Sequence, residues 1–404
     1  MKTYDNDPIL NSQHPSGVGL HTLSFVSASN QNEFPAIETE WEKISSENTN
    51  LYAFYQSPLW WNHMTACNNA ANLHLAIARD VQDKLVGASP VYESTYQLHF
   101  PLSRSHAKQI PLRTAVVSGG QPALPADNDL YGKFFNSLWD RFPMSDAVYM
   151  KSIPLDSPCW NYFQQTNWRS DSHYVYLPDG VRLFHSVDLP ESFQEYLGQF
   201  NRKKRYNLKR QERVLRDNCK GNLKLMRIES KDQADEFVNA LRAASHCTWQ
   251  YEQAGIELGS SDAQRDRFVD LAERGSLRSY LLQGNGEEVA FVVGYQYRDV
   301  FHYSDVGYVQ SYSRYSPGSV LLYMLIRDLI GYRSPRRINF GIGDSSYKRQ
   351  FGNNNTHDAD ILLLRRTFKN AARLNAHALY KRTARFAKAV LHKSSFQKRS
   401  VVSI

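Results

Sequence analysis

Between residues 277 and 308, three runs of largely apolar and aromatic residues follow one another closely. They are parted only by Gly284-Asn285-Gly286-Glu287 and by Arg298-Asp299. Turns that tight join antiparallel neighbours, so the segment predicts a three-strand meander over 277–283, 288–297 and 300–308. A loop over 310–315 follows, and then a strongly apolar stretch from Pro317 to about Tyr332 opened by Ser316-Pro317. Serine suits a helix N-cap and proline the first helical position, so this stretch is expected to be a helix laid on the meander. A sheet with helices stacked on it is an α/β architecture.

The chain has 404 residues, more than one ordinary core holds, which predicts two domains. Residues 1–33 are polar and are expected to form a mostly disordered leader. A first lobe over 34–182 combines helices near 37–46, from Pro58, and over 131–142 with a hairpin (73–78 and 85–92), a strand at Val116-Val117 and another over 147–153. It ends at the Pro178-Asp179-Gly180 turn. A second lobe over 183–367 opens with one helix over 192–217, then a strand over 223–228 and helices over 233–246 and 263–274. After the meander and its helix come strands over 337–340 and 359–365, the last closing the lobe. Leu85-Val86-Gly87-Ala88-Ser89-Pro90-Val91 echoes Glu288-Val289-Ala290-Phe291-Val292-Val293-Gly294, as a duplicated fold would.

Composition excludes several classes. There is no secretory signal and no membrane-length apolar run. Cys67, Cys159, Cys219 and Cys247 are far apart, which fits a reducing compartment and neither a disulfide framework nor a zinc site. The net charge of +8 belongs to the tail: residues 368–404 hold nine Lys or Arg and no acid, leaving 1–367 near −1. That tail is expected to be a basic amphipathic helix, packed on the body or lying on an anionic membrane surface.

Two segments carry chemistry. At Ser316-Pro317-Gly318-Ser319, unpaired N–H groups and the positive end of the helix dipole make an anion site suited to a pyrophosphate. The segment from Asn339 to Gly352 sets two glycines, Asp344, Tyr347 and Lys348 at the end of a strand, a pattern that suits a binding site. Strand 300–308 carries Tyr303 and Asp305, expected by alternation on one face, and His302 on the other. Tyr303 and Asp305 are candidates for proton handling or acceptor contact. No Ser-His-Asp or Cys-His spacing suggests a covalent nucleophile.

The meander, the Ser-Pro-Gly helix start and the segment Phe340-Gly341-Ile342-Gly343-Asp344…Tyr347-Lys348…Phe351-Gly352 together resemble a group of bacterial acetyltransferases. This is the CelD-like, cellulose- and exopolysaccharide-associated set, related to the FemAB peptidyltransferases. The resemblance spans about residues 35–367. It implies two tandem GNAT-like lobes with mixed, mostly antiparallel sheets and a basic helical tail. It also implies acyl transfer from acetyl-CoA, without a metal, to a small-molecule or glycan-precursor acceptor, in the cytoplasm or at the inner membrane's edge. Tyr315, Ser316, Gly318 and Ser319 would hold the donor. Trp249, Asp344 and Tyr347 would line the acceptor side, and Lys348 would join Tyr303 and Asp305 in catalysis. Asn339 stands where the family carries an acid, and Gln250 where it carries lysine. The basic run Arg202–Arg216 is expected to be a solvated face or an anion-capturing one. Two rival readings remain: a FemAB-like transferase using charged tRNA, and a degenerate GNAT scaffold at a membrane assembly.

Overall fold

The computed structural model describes residues 21–29, 34–48, 50–67, 72–101, 107–165, 173–247, 258 and 261–400, without the side chains of 101, 107–108 and 385–400. The chain is built twice on one plan. In the first half β1 (Thr22–Ser27), β2 (Leu73–Arg79), β3 (Leu85–Pro101) and β4 (Ala107–Val117) run as successive antiparallel neighbours. Helices α1 (Phe34–Glu47) and α2 (Pro58–Cys67) lie between β1 and β2. Helix α3 (Asn128–Arg141) then crosses to β5 (Ala147–Pro154), which runs parallel to β4, and α4 (Pro158–Gln165) and β6 (His173–Tyr176) follow.

The second half repeats this order. After β7 (Val181–Asp188) come α5 (Phe193–Gly198) and α6 (Arg202–Asn218), the latter capped by Asn201, which accepts from the Lys204 N–H at 2.8 Å. The single helix expected over 192–217 is thus broken where Asn201 caps. The meander is β8 (Leu223–Ile228), β9 (Ser279–Gly284), β10 (Glu287–Tyr297) and β11 (Val300–Tyr308), with α7 (Lys231–His246) and α8 (Asp262–Glu273) between β8 and β9. Helix α9 (Pro317–Gly331) crosses to β12 (Arg337–Ile342), parallel to β11, and α10 (Ser346–Phe351) precedes β13 (Asn354–Arg365). In this repeat β10 corresponds to β3, the pair whose sequences echo each other.

The halves exchange their last strands. β7 follows the first half but pairs with β12 of the second. β13 follows the second half but lies between β7 and β5, so the sheet runs on as β5-β13-β7-β12. The last strand was expected to close the second lobe; instead it closes the first. Ile361, Leu362, Leu363 and Leu364 are each 0% exposed, and a strand apolar on both faces belongs in a sheet centre with helices on both sides.

The leader also needs correcting. Residues 22–27, expected to be disordered, form β1 in register with β2, and Phe25 packs against Phe134 of α3. Alternation over six residues is too short a signal to stand out among the polar residues around it.

Helix α11 (Phe368–Ser400) leaves β13 and docks on the first half through buried Asn370, Leu374 and His377, at i, i+4 and i+7. His377 Nε2 lies 3.1 Å from the His99 carbonyl, and Arg373 pairs with Asp146 at 2.9 Å. The first turns of the tail therefore pack on the body. Among the described residues no helix is long and apolar enough to cross a membrane.

Candidate functional site

The two parallel strands of the second half part company. β11 pairs with β12 at Val300–Arg337, Phe301–Ile338 and His302–Asn339, and the pairing stops there. β12 turns away through a bulge between Asn339 and Gly341, where its register with β7 shifts. Gly341 sits at φ +72°, a left-handed conformation that glycine adopts without strain, and the Asn339 side chain accepts its N–H at 2.8 Å. β11 continues to Tyr308 with β10 alone beside it. A cavity of about 480 Å³ occupies the gap, bounded by Tyr303, Val306 and Tyr308 of β11, by 316–319 at the start of α9, and by 345–347.

Helix α9 is held in place by burial: Val320, Leu322, Leu325, Ile326 and Leu329 are each 0% exposed. Its mouth is open for a reason not visible in the sequence. Ser316 occupies the N-cap position but is left-handed (φ 55°, ψ 48°), and its side chain makes no capping bond. A serine caps from extended backbone, so this one cannot cap as expected. Its carbonyl accepts Val320 N–H at 3.1 Å and Ser319 N–H at 3.0 Å. Pro317 has no N–H, and the Gly318 N–H meets no acceptor among the described residues. At the same place in the first half, Asp127 caps α3. Its carboxylate accepts from Asp129 N–H at 2.8 Å and Leu130 N–H at 3.3 Å, and faces His21 at 3.1 Å. That mouth is filled by a carboxylate, which would repel an anion, whereas no side chain caps the mouth of α9.

The expected site residues separate. Tyr303, Tyr347, Ser316, Gly318 and Ser319 meet at the cavity. The Tyr303 ring packs edge-on to Phe340 at 5.2 Å and tilted to Tyr347 at 5.9 Å. Tyr315 does not line the cavity; its ring lies under the Arg314 guanidinium and against the core. Asp305 is not beside Tyr303. The β10–β11 register passes from Val293–Asp305 to Gly294–Tyr303, so Ser304 is an extra residue and alternation is reset. Asp305 lies instead near Tyr55 and Tyr295, whose hydroxyls are pushed up by burial first and then by neighbours including this carboxylate.

Asp344 does not line the cavity; it lies 3.3 Å from buried His185 Nε2 and 2.5 Å from Arg349. Lys348 is buried, and its Nζ donates to the carbonyls of Gly341 (3.2 Å) and Ile342 (3.0 Å), pinning the bend of β12. Burial, with Lys151 and Arg182 adding to it, pushes its pKa down to about 8. It is a positioning group for the gap and does not line the cavity. Trp249 and Gln250 lie outside the described residues.

Sequence reasoning gave no role to two groups. Arg278 is wholly buried at the far end of α9, and no local motif marks it. His302 is buried against Phe54 and Tyr55, residues that reach over from the first half. Burial drives its imidazole down to about 3. Between about pH 3 and the ordinary histidine value near 6.5 the unfolded chain binds this proton and the folded chain does not, so stability falls as pH drops through that window. Replacing His302 by Phe is expected to flatten the fall. Urea midpoints for both proteins between pH 4 and 7 check this, and parallel curves refute it.

A sheet that opens between its two parallel strands beneath an uncapped helix mouth is the arrangement of the GNAT acyltransferase fold, and the second half has it. A family model and the superposition on FemX agree. Residues 202–349 match the family model described as an acetyltransferase (GNAT) domain. The structure of FemX superposes with a TM-score of 0.52 at 10% identity, over 80% of this chain and 95% of that one. A tandem GNAT protein from the clavulanic acid biosynthesis pathway gives 0.49 at 10% identity, over 85% and 98%. The C-terminal domain of a putative lysylphosphatidylglycerol synthetase from Agrobacterium fabrum gives 0.46 at 13%, over 85% and 96%. At such identity the FemX likeness speaks for the fold alone. No curated protein sequence matches the chain.

Proposed function

We infer that the second half transfers an acyl group from an acyl-CoA, with acetyl-CoA the expected donor, to an amine or hydroxyl acceptor. The observation that carries this is the contrast between the two helix mouths: α9 offers the Gly318 N–H to an anion beside the gap in the sheet, whereas Asp127 fills the equivalent mouth of α3. In this reading the donor's diphosphate sits on the α9 mouth and its thioester arm runs along β11. The acceptor nitrogen or oxygen attacks the thioester carbonyl, the carbon–sulfur bond breaks, and the acceptor's proton passes to solvent. Burial holds the Tyr303 phenol far above its ordinary value, so it stays protonated; it passes its proton to the departing thiolate as the proton shed by the acceptor returns to it through solvent, which leaves free thiol, acylated acceptor and a neutral phenol. No carboxylate, imidazole or ammonium lines the cavity among the described residues, so an amine acceptor would enter as the neutral base. Positioning then supplies much of the rate. The sequence resemblance favours a glycan precursor or small molecule as acceptor.

One observation favours a second reading, with charged tRNA as donor. Arg202, Tyr206, Lys209, Arg210 and Arg213 are exposed along one side of α6, which packs on α9 and on the 310–315 turn. A basic face with an aromatic on it, beside the cavity mouth, suits a polyphosphate strand.

Calorimetry with acetyl-CoA, free CoA and tRNA as titrants tests both. A Cβ built on Gly318 meets nothing nearer than Tyr308 at 3.8 Å, so Gly318→Trp should fold while its ring fills the cavity. Acetyl-CoA is expected to bind the natural chain and not the variant. Equal binding to both would remove the donor site from α9. Tight, steeply salt-dependent tRNA binding without acetyl-CoA binding would favour the second reading.

A further inference from the structure

Away from the donor cavity, α2 of the first half packs against α8 of the second. His63 and Cys67 are four residues apart on α2, so they share one face of the helix. That face meets Asp270 of α8. His63 Nδ1 lies 2.6 Å from Asp270 Oδ2 and 3.7 Å from Cys67 Sγ, and the ligating atoms of all three lie within 4.8 Å of one another. His63 and Asp270 side chains are 3% and 16% exposed, while Cys67 is only partly covered and leaves a way in from solvent.

We propose that His63, Cys67 and Asp270 form a binding site for a divalent cation of the zinc class, which clamps the first half to the second. One imidazole nitrogen, one sulfur and one carboxylate oxygen are the mixed donor set that borderline-soft ions take. Tetrahedral bonds of zinc length place ligand atoms about 3.3–3.8 Å apart. The observed spacings straddle that range, so small rotations of three side chains close the site. Water entering past Cys67 takes the fourth position. On binding, the thiol gives its proton to solvent, and thiolate plus carboxylate balance the charge of the ion.

Arg274 donates to Asp270 Oδ2 at 2.8 Å and to the Asn62 carbonyl at 3.4 Å. It holds the same carboxylate oxygen that faces His63 and so fixes the orientation of Asp270, as outer partners of metal ligands do. The competing account is a hydrogen-bonded lock of His63, Asp270 and Arg274 with no ion. Such a lock has no use for a sulfur atom aimed at the same point. Asp270 is 207 positions from His63, so no spacing in the sequence announces the site, and the expectation of a metal-free chain passes over it.

The test uses the full chain with Co²⁺ and Zn²⁺ alone as probes. One Co²⁺ per chain is expected, with a thiolate-to-cobalt charge-transfer band in the near ultraviolet. Zn²⁺ should displace it and raise the melting temperature in proportion to the logarithm of its concentration. Cys67→Ser, a near-isosteric change at a partly exposed position, should erase the band and weaken Zn²⁺ binding more than about tenfold. Asp270→Asn should weaken it similarly. Circular dichroism confirms that both variants are folded. Absence of one-to-one binding, a cobalt spectrum without a thiolate band, or Zn²⁺ affinity unchanged in both variants would leave the lock alone and overturn the proposal.

Discussion

Tyr303→Phe is expected to lower kcat by about 10²–10⁴-fold while acyl-CoA affinity stays within a fewfold, the loss typical of a positioned proton donor. Tyr303 is 7% exposed, faces the cavity, and packs with Phe340 and Tyr347, so Phe fits the same space and only the hydroxyl goes. Burial keeps the phenol protonated, so its absence is felt when the thiolate leaves and hardly before. The pattern to look for is a fall in kcat with KM nearly constant, partly relieved by a donor whose thiol is more acidic. A variant as fast as the natural protein would remove Tyr303 from the chemistry and leave it as packing.

The second large effect concerns stability. Arg278 is 0% exposed, and its donors are all engaged. Nε donates to the Tyr280 hydroxyl at 2.8 Å. Nη1 donates to Gln296 and to the Arg333 carbonyl, the latter at 3.1 Å. Nη2 donates to the Tyr332 carbonyl at 2.7 Å and to Asp328 at 3.3 Å. It ties β9 and β10 to the C-terminal end of α9, where a cation also answers the helix dipole. Arg278→Met should cost about 3–5 kcal/mol, because Asp328 and two carbonyls lose a partner in the interior. Arg278→Lys should recover little, since an ammonium cannot reproduce the fork. Denaturant midpoints measure both. A loss below about 1 kcal/mol would mean that Arg227, which also binds Asp328 at 2.9 Å, carries the network alone.

Much of the fold was legible because its signals are local. The 284–286 turn and the Ser316-Pro317 helix start each act within a few residues. The exchange of β7 and β13 was not legible. Pairing partners are chosen by burial on both faces, which a run such as Ile361-Leu362-Leu363-Leu364 announces without saying against what. The site was half legible. Gly318, Ser319, Tyr303 and Tyr347 converge as expected. Asp305 does not, because a single extra residue at Ser304 turned the strand over, and alternation read from sequence assumes no bulge. Lys348 was placed in the chemistry by the family resemblance of its segment. Six residues of helix were enough to direct it to the strand end instead.

The crossed strands bear on why a half with a blocked helix mouth persists at all. Were the chain severed between β7 and β12, each fragment would surrender the strand lodged in the other, baring a raw apolar border where the sheet was once continuous. The first half therefore serves as a resident partner: it completes the second half's sheet, lends it Phe54 and Tyr55 against His302, and receives β13 in return. Gene truncation to either copy is expected to unsettle both, since each would lose a strand that the other lends.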